Sequence, residues 1–150
     1  MSAEFQLNEQ PLGRILTVLG KGYLNLLRMK LQNLDIDRYY YALVLIGRQD
    51  GIITQQELAL LLDSDKVSIV RIVNYLSEKG YVKRMLKTDD RRKHRLVLTE
   101  KGKLAIPEIK KSFAALNEVV LSGLEKTQIA ELTQSITYIK RNISQNTEHK

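Results

Sequence analysis

The sequence predicts a mainly α-helical fold with one small β-hairpin. Apolar residues recur every three or four positions through most of the chain, which is the period of an amphipathic helix. Two short runs of β-type residues, 81–86 and 95–98, flank a polar stretch from Lys87 to His94, and this arrangement is typical of a hairpin with a long loop. With 150 residues, 43% of them hydrophobic, the chain can form one domain with a small core, or a domain with an oligomerising extension.

The composition excludes several functional classes. Cysteine is absent, which removes disulfides, thiolate catalysis and cysteine-based redox sensing. No apolar run reaches the ~18 residues that a membrane span needs. The first residues lack the basic start and apolar block of a signal peptide, so we expect a cytoplasmic protein without a membrane partner. The net charge of +7 indicates a polyanionic partner.

We expect neither enzymatic activity nor a cofactor. The sequence contains no glycine-rich phosphate loop, no His/Cys cluster with metal-ligand spacing and no nucleophile elbow. Only two histidines are present, His94 and His149, so no metal site is expected either.

The first helix is predicted to begin at Pro11, a residue suited to the first helical turn, and to fade near Leu34. Its apolar residues at helical spacing are Leu12, Ile15, Leu16, Leu19, Tyr23, Leu26, Leu27 and Leu31. Asp35 or Asp37 is expected to cap a second helix, which ends at residues 50–51.

A short helix, a tight turn and a longer second helix are predicted next. Thr54 and Glu57 form a capping box, in which the threonine hydroxyl accepts from the Glu57 amide while the carboxylate reaches back. Residues 63–65 then supply turn residues and N-cap candidates for a longer helix. That helix stops at Gly80, a typical C′ glycine. Its apolar positions, which are expected to form one face packed inward, are Val67, Ile69, Val70, Ile72, Val73 and Leu76.

Residues 51–53 are expected to join the hairpin as a short third strand.

The hairpin carries most of the net charge. Between Lys83 and Arg95 lie seven basic and two acidic residues, a local balance of +5 in a chain whose total is +7. A winged helix-turn-helix has the same order of elements: a short helix, a turn, a second helix and a hairpin, which is basic here. In that fold the second helix can enter a DNA major groove while the hairpin tip reaches the minor groove. The alternative is that the charged tip of the hairpin is merely solvated and binds no partner.

A long helix capped by Thr99 is predicted after the hairpin. Pro107 lies inside it, and a proline in a helix interior costs about 3 kcal/mol, so we expect a kink near Ala105 or a break.

The last predicted helix, from Lys126 to Asn142, carries a narrow apolar seam that indicates a homodimer. The seam residues step by three and four positions, as in a coiled coil, and are Ile129, Leu132, Ile136, Ile139 and Ile143. Such a seam needs a partner helix. The first helix of the same chain, together with the terminal helices of a second copy, is the expected partner.

The central third of the chain has a residue pattern with a known counterpart. Residues 53–59 read Ile-Thr-Gln-Gln-Glu-Leu-Ala, and further positions are Asp65-Lys66, Arg71, Leu76, Lys79-Gly80, Val82, Arg84, Asp90-Arg91-Arg92 and residues 98–102, Leu-Thr-Glu-Lys-Gly. At this spacing they resemble the MarR (multiple antibiotic resistance regulator) family of winged helix-turn-helix regulators. The chain departs from the family at Val67 and Val70, where Ser or Thr often faces DNA, and at Tyr75, which is often Arg.

The resemblance implies a dimeric transcriptional regulator, usually a ligand-responsive repressor, on a pseudo-palindromic operator. The terminal helices of such proteins dimerise, which corresponds here to residues 11–31 and 126–143. We therefore predict a helical dimerisation region of residues 1–34 and 103–150 around a winged helix-turn-helix DNA-binding domain of residues 35–102.

The outward residues of the second helix of this motif, the recognition helix, are the candidates for DNA contact: Lys66, Ser68, Arg71, Asn74 and Tyr75. The Arg71 guanidinium can pair bidentately with guanine O6 and N7. A phosphate contact and an ion pair with Asp90 are the alternatives for Arg71. Ser68 and Asn74 have shorter reach, and Tyr75 either packs on a sugar or covers the hairpin.

Phosphate and minor-groove contacts are expected from two further segments. Thr54, Gln55 and Gln56 open a helix whose free amides can hold a phosphate. In the wing, the resemblance implies that Arg92 is the minor-groove finger and that Asp90 orients it. A narrow A·T-rich minor groove attracts such an arginine. The remaining wing candidates, placed near phosphates, are Arg91, Lys93 and His94.

Tyr40 and Tyr41 belong to an aromatic run at the start of the second predicted helix. The resemblance implies a ligand cleft between the dimer helices and the DNA-binding lobe, and one of these tyrosines is a candidate for its lining. Core or interface packing is the alternative for these tyrosines.

The expected partners of the chain are double-stranded DNA, a second copy and a small-molecule effector. The competing interpretation is a winged-helix module that binds protein or RNA, against which the +5 wing argues because a protein-docking wing favours apolar residues.

Overall fold

The computed structural model describes residues 5–87 and 90–147, and of residues 87 and 90–93 it describes the backbone alone. It confirms the mainly α-helical fold with a small two-stranded antiparallel hairpin. The elements in chain order are α1 (Leu12–Lys30), α2 (Tyr40–Arg48), α3 (Gln55–Leu61), α4 (Lys66–Glu78), β1 (Val82–Lys87), β2 (Asp90–Leu98), α5 (Glu100–Val120) and α6 (Lys126–Thr147).

The chain divides into two compact units, of which the first ends at Leu116 and the second starts at Asn117. The first unit contains one continuous core, to which all of its elements contribute buried side chains. The largest fully buried aliphatic side chains include Leu43, Ile46, Leu58, Ile69, Leu76, Leu96 and Ile109. Across the described residues, every helix is too short or too polar to span a bilayer.

The segment between α1 and α2 differs from the prediction. Pro11 lies one residue before α1, and α2 begins at Tyr40 without any side-chain cap, so neither Asp35 nor Asp37 caps it. Both carboxylates interact with other side chains instead. Asp37 has a φ of 59° and pairs with Arg28 at 2.8 Å, whereas Asp35 accepts a hydrogen bond from the Tyr81 hydroxyl at 2.7 Å.

The ends of α3 and α4 follow the sequence signals. The Thr54–Glu57 capping box is present, and Asp65 caps α4 by accepting from the Ser68 amide at 2.8 Å. At the other end of α4, Gly80 has a φ of 79°, a left-handed conformation that suits glycine. The Gly80 and Tyr81 amides donate to the carbonyls of Ser77 and Leu76, which is a Schellman motif.

The hairpin is longer than the sequence indicates. β2 begins at Asp90 rather than near Arg95, and its pairing with β1 extends to Lys87 opposite Asp90, with a register shift after Leu86. The expected long loop is therefore wrong. Only residues near the core need the apolar alternation that marks a strand, and beyond Leu86 the pairing resumes at Lys87 and Asp90 without it.

The expected third strand at residues 51–53 is wrong in its extent, because the chain meets the hairpin edge only at isolated points. Thr54 forms a single bridge with Arg95. The Gly51 amide donates to the Leu96 carbonyl at 3.0 Å, and the Leu96 amide donates to the Ile53 carbonyl at 2.8 Å.

α5 continues through Pro107, so the predicted break does not occur. Proline cannot donate to the carbonyl four residues earlier, which belongs to the exposed Lys103, where water can satisfy it. Thr99 caps the helix as expected, since its hydroxyl accepts from the Gly102 amide at 3.1 Å. α6 extends to Thr147, five residues beyond its predicted end at Asn142.

We expect Gly102→Ala to destabilise the fold by about 2 kcal/mol, within the usual cost of overpacking a core. Gly102 is buried in the first turn of α5, and a Cβ there would overlap the backbone carbonyl oxygen of Tyr81, which cannot move aside as a flexible side chain can. Urea unfolding measures the effect. Gly20→Ala adds the same methyl group to α1, where no atom beyond the adjacent residues and backbone of its own helix lies within 4 Å, so it serves as control. A Gly102→Ala variant as stable as the parent would contradict this packing.

Candidate nucleic-acid interface

One face of the recognition helix, α4, is exposed, while the opposite face is buried. Ile69, Val73 and Leu76 lie in the core. The prediction that Val67 and Val70 also belong to the apolar core face is wrong, because these side chains are 70% and 36% exposed. A narrow stripe at positions i, i+4 and i+7 is enough to anchor a helix of 13 residues, which leaves the other apolar positions outside. A shallow cleft of about 380 Å³ follows the exposed face, lined by Val67, Val70, Arg71, Asn74, Tyr75 and Glu78.

Ser68 completes the cap of α4. Its hydroxyl donates to Asp65 Oδ2 at 2.6 Å, and its amide donates to Oδ1 of the same carboxylate at 2.8 Å. These two hydrogen bonds lower the pKa of Asp65. The Ser68 hydroxyl therefore donates within the protein, and its predicted contact with DNA stays a prediction. Lys66 and Arg71 remain exposed, as expected.

Arg84 links the recognition helix to two neighbouring elements, β1 and α3. From β1 its Nε donates to Gln55 Oε1 in the first turn of α3, and its Nη2 donates to Asn74 Oδ1 on α4, each at 2.6 Å. Gln55 and Asn74, both predicted to contact DNA, thus hold their carbonyl oxygens against an arginine. The sequence placed Arg84 among the basic wing residues and gave no indication of this bridge.

We expect Arg84→Ala to reduce both stability and DNA affinity. Charge-assisted hydrogen bonds at partly exposed sites contribute about 1 kcal/mol each, so chemical denaturation should detect a loss of about 1–2 kcal/mol. Lys83→Ala, which removes an exposed cation from the neighbouring position of β1, is the matched control for charge. If both variants unfold alike, the bridge does not hold the elements together.

A second cleft, of about 470 Å³, brings the predicted phosphate-binding segment next to Lys66 and His94. Its lining residues are Thr54, Gln55, Gln56, Ala59, Lys66, Ile69 and His94. Thr54 lacks the free amide on which its predicted phosphate contact depends, because this amide donates to Glu57 Oε2 at 2.7 Å. Its side chain is buried, and its hydroxyl donates to Glu57 Oε2 at 2.9 Å while accepting from the Glu57 amide. Gln56, Lys66 and His94 are the polar side chains that remain here for an anion.

Tyr75 packs against the residues before α2 and does not cover the hairpin. Its hydroxyl donates to the Asp35 carbonyl at 3.1 Å, and its ring meets the edge of Tyr39 at a centroid distance of 5.2 Å. The partly buried side chain still borders the exposed face of α4.

A polar cluster that the sequence did not indicate fixes the carboxyl end of α4. Asp35 accepts from the Tyr81 hydroxyl at 2.7 Å and from Lys101 Nζ at 3.3 Å, and Lys101 also donates to the Lys79 carbonyl at 2.8 Å. The hydrogen bond from Tyr81 is the main cause of the lowered pKa of Asp35. Burial is the main cause of the raised pKa of Tyr81, and the same hydrogen bond adds to it. The recognition helix is thus attached to its neighbours at its carboxyl end by this cluster and at Asn74 by Arg84.

The two tyrosines proposed for an effector pocket occupy different environments. Tyr40 is buried in the core, which raises the pKa of its hydroxyl, so its predicted role in a ligand cleft is not supported and the packing alternative applies. Tyr41 is half exposed, with its ring tilted against Phe113 at 6.4 Å between centroids. Neither side chain lines the two clefts described above.

The wing is described only in part. The side chains of Asp90, Arg91, Arg92 and Lys93 lie outside the described residues, and so does the alternative ion pair between Arg71 and Asp90. His94, at the described end of this segment, is exposed and faces the second cleft.

Comparison with known proteins identifies the family. The MarR family model matches residues 36–93. A curated relative, the uncharacterised HTH-type transcriptional regulator YybA of Bacillus subtilis, is 26% identical over 122 residues, 81% of each chain. The crystal structure of a MarR transcriptional regulator from Methanosarcina mazei is 30% identical, with a TM-score of 0.77 over 89% of this chain and 96% of that one. The transcriptional regulator SlyA, 25% identical, has a TM-score of 0.85 over 93% and 98% of the two chains. The chain therefore belongs to the MarR family of transcriptional regulators.

Proposed function

We propose that this regulator is a homodimer that binds a pseudo-palindromic operator in double-stranded DNA, inserting α4 of each subunit into the major groove. The observation that carries the proposal is the exposed face of α4. It presents Arg71 between Val67 and Asn74, while the same helix is anchored by its buried face, by the bond from Arg84 to Asn74 and by the bond from Lys101 to the Lys79 carbonyl. A helix held in this way presents its side chains at a fixed angle, which direct base contact requires.

The charge distribution supports a nucleic-acid partner. Arg71 and Lys66 lie exposed on or beside the cleft faces, and the segment from Lys83 to Arg95 carries a balance of +5. Cations at these positions would neutralise phosphates on both sides of the groove that α4 enters. The finger role of Arg92, with Asp90 orienting it, remains part of this proposal, as do phosphate contacts from Arg91, Lys93 and His94.

A second copy of the chain is the proposed cover for the apolar surface of α6. This helix of 22 residues has no buried residue, and Leu132, Ile136 and Ile143 are 40%, 52% and 59% exposed. α1 likewise leaves Leu16, Leu19 and Leu26 exposed. Apolar rows of this length on two helices favour self-association. Two-fold pairing would also place two recognition helices about one helical turn, ~34 Å, apart on DNA.

DNA is favoured over the alternative of a protein or RNA partner. A putative MarR family regulator from Listeria monocytogenes, 23% identical and with the same fold (TM-score 0.79), was crystallised in complex with 26mer DNA. We infer a binding protein rather than an enzyme. Repression, a response to a small-molecule effector and a cytoplasmic location stay predictions.

Fluorescence anisotropy with labelled duplex DNA, and with RNA of the same length as competitor, tests the proposal. We expect duplex DNA to bind more tightly than single- or double-stranded RNA. We also expect log K to fall linearly with log salt, with a slope of about 0.9 per neutralised phosphate. Equal or tighter binding of RNA, or no binding of duplex DNA at low salt, would overturn it.

A further inference from the structure

We propose that Val67 and Val70 are specificity-determining residues that contact the 5-methyl groups of thymines in the major groove. This inference rests on the proposed function, because it assumes that α4 enters that groove. It goes further by naming the bases that the exposed face of α4 selects.

The two valines lie where a recognition helix touches bases. Val67 is the second residue of α4 and Val70 stands one turn further on, so both project from the amino-terminal half of the helix on the same side as Arg71 and Asn74. The amino-terminal residues of a recognition helix are those that reach base edges. Both side chains line the cleft along this face, and neither is part of the core beneath it.

Folding does not account for valine at position 67, and Val70, which is 36% exposed, also lies outside the core. Val67 is 70% exposed, so its side chain contributes little burial. Valine is also a weaker helix former than alanine, because its branched side chain loses freedom against the preceding turn. The same stiffness is useful in binding, since a side chain with one preferred rotamer loses little entropy when it is ordered at an interface.

The chemistry of the major groove leaves one apolar group for such side chains. Each base pair presents hydrogen-bond donors and acceptors there, and only thymine adds a methyl group. A valine placed against a donor or acceptor would desolvate it without replacing its hydrogen bond, whereas a valine against the methyl removes apolar surface from water. The cationic neighbours Lys66 and Arg71 complement a polyanion, which makes DNA the occupant rather than an apolar protein surface.

Removing single methyl groups from the operator tests the proposal. In the operator obtained by selection from random duplexes, each thymine is replaced in turn by deoxyuridine, which changes nothing but the 5-methyl group. We expect one or two thymines per half-site at which this replacement weakens binding about three- to five-fold, as loss of one buried methyl implies. Val67→Ala and Val70→Ala should each abolish the penalty at their own thymine. Leu60→Ala removes a side chain that is 74% exposed on α3 and lines neither cleft, so it should leave every penalty unchanged.

Two outcomes would overturn the inference while leaving the proposed function intact. In the first, the protein selects an operator but binds every deoxyuridine duplex as tightly as its parent. In the second, penalties exist but persist in both valine variants, which would assign the methyl contacts to other residues. Failure to select any operator would instead overturn the proposed function.

Discussion

Replacing Ile136 with aspartate is expected to convert the proposed homodimer into monomers. Ile136 occupies the middle of the apolar seam of α6, and its side chain is 52% exposed in the isolated subunit. In a two-fold interface each substitution occurs twice, so two carboxylates would be buried without partners. At a cost of ~3 kcal/mol for each unpaired buried charge, the dissociation constant should rise about 10⁴-fold.

Sedimentation velocity at micromolar concentration measures this change directly. Gln134→Asp, on the opposite side of the same helix, introduces the same charge outside the seam and should leave the dimer intact. An Ile136→Asp variant that still sediments as a dimer would show that α6 does not form the interface. Because each subunit contacts only one half-site, the monomeric variant should also lose most of its operator affinity.

Replacing Arg71 with alanine is expected to remove most of the sequence specificity. A bidentate arginine–guanine pair discriminates against other bases by about 1–3 kcal/mol, and a dimer makes the contact in both half-sites. The ratio of the dissociation constants for a scrambled duplex and the operator should therefore fall about 30-fold or more. Binding to the scrambled duplex should change little, because it depends on phosphate contacts.

Arg71→Lys distinguishes the roles open to this residue. Lysine keeps the charge but lacks the planar fork that engages guanine O6 and N7. Under the proposed role, the lysine variant therefore loses nearly as much specificity as the alanine variant. If lysine retains full specificity while alanine weakens binding to every duplex equally, Arg71 contacts a phosphate and bases are read elsewhere.

Local signals in the sequence were sufficient for much of the fold. The capping box at Thr54, the cap at Asp65 and the glycine at position 80 each act within a few residues, and the structure confirms all three. Strand length was harder to predict. β2 continues beyond the apolar alternation that marks its packed half, because charged residues also support backbone pairing.

The candidate interface was predicted in outline, but the partners of its side chains were not. Arg84 bonds to residues 29 and 10 positions away, and Asp35 bonds to Tyr81 across 46 positions. No short-range pattern encodes such pairs. Val67 and Val70 were misplaced for a different reason. Periodicity assigns every apolar residue of a helix to its buried side, and it cannot identify an apolar residue that faces a partner.

The most direct test of the central claim is selection of bound sequences from a random duplex library, followed by salt titration of the selected duplex. Two recognition helices related by two-fold symmetry predict a pseudo-palindrome whose half-sites are about one helical turn apart. They also predict that a scrambled duplex binds at least ~10³-fold more weakly at physiological salt. Recovery of no common sequence, with binding that depends on salt alone, would contradict this account and indicate a protein that recognises only the charge of DNA.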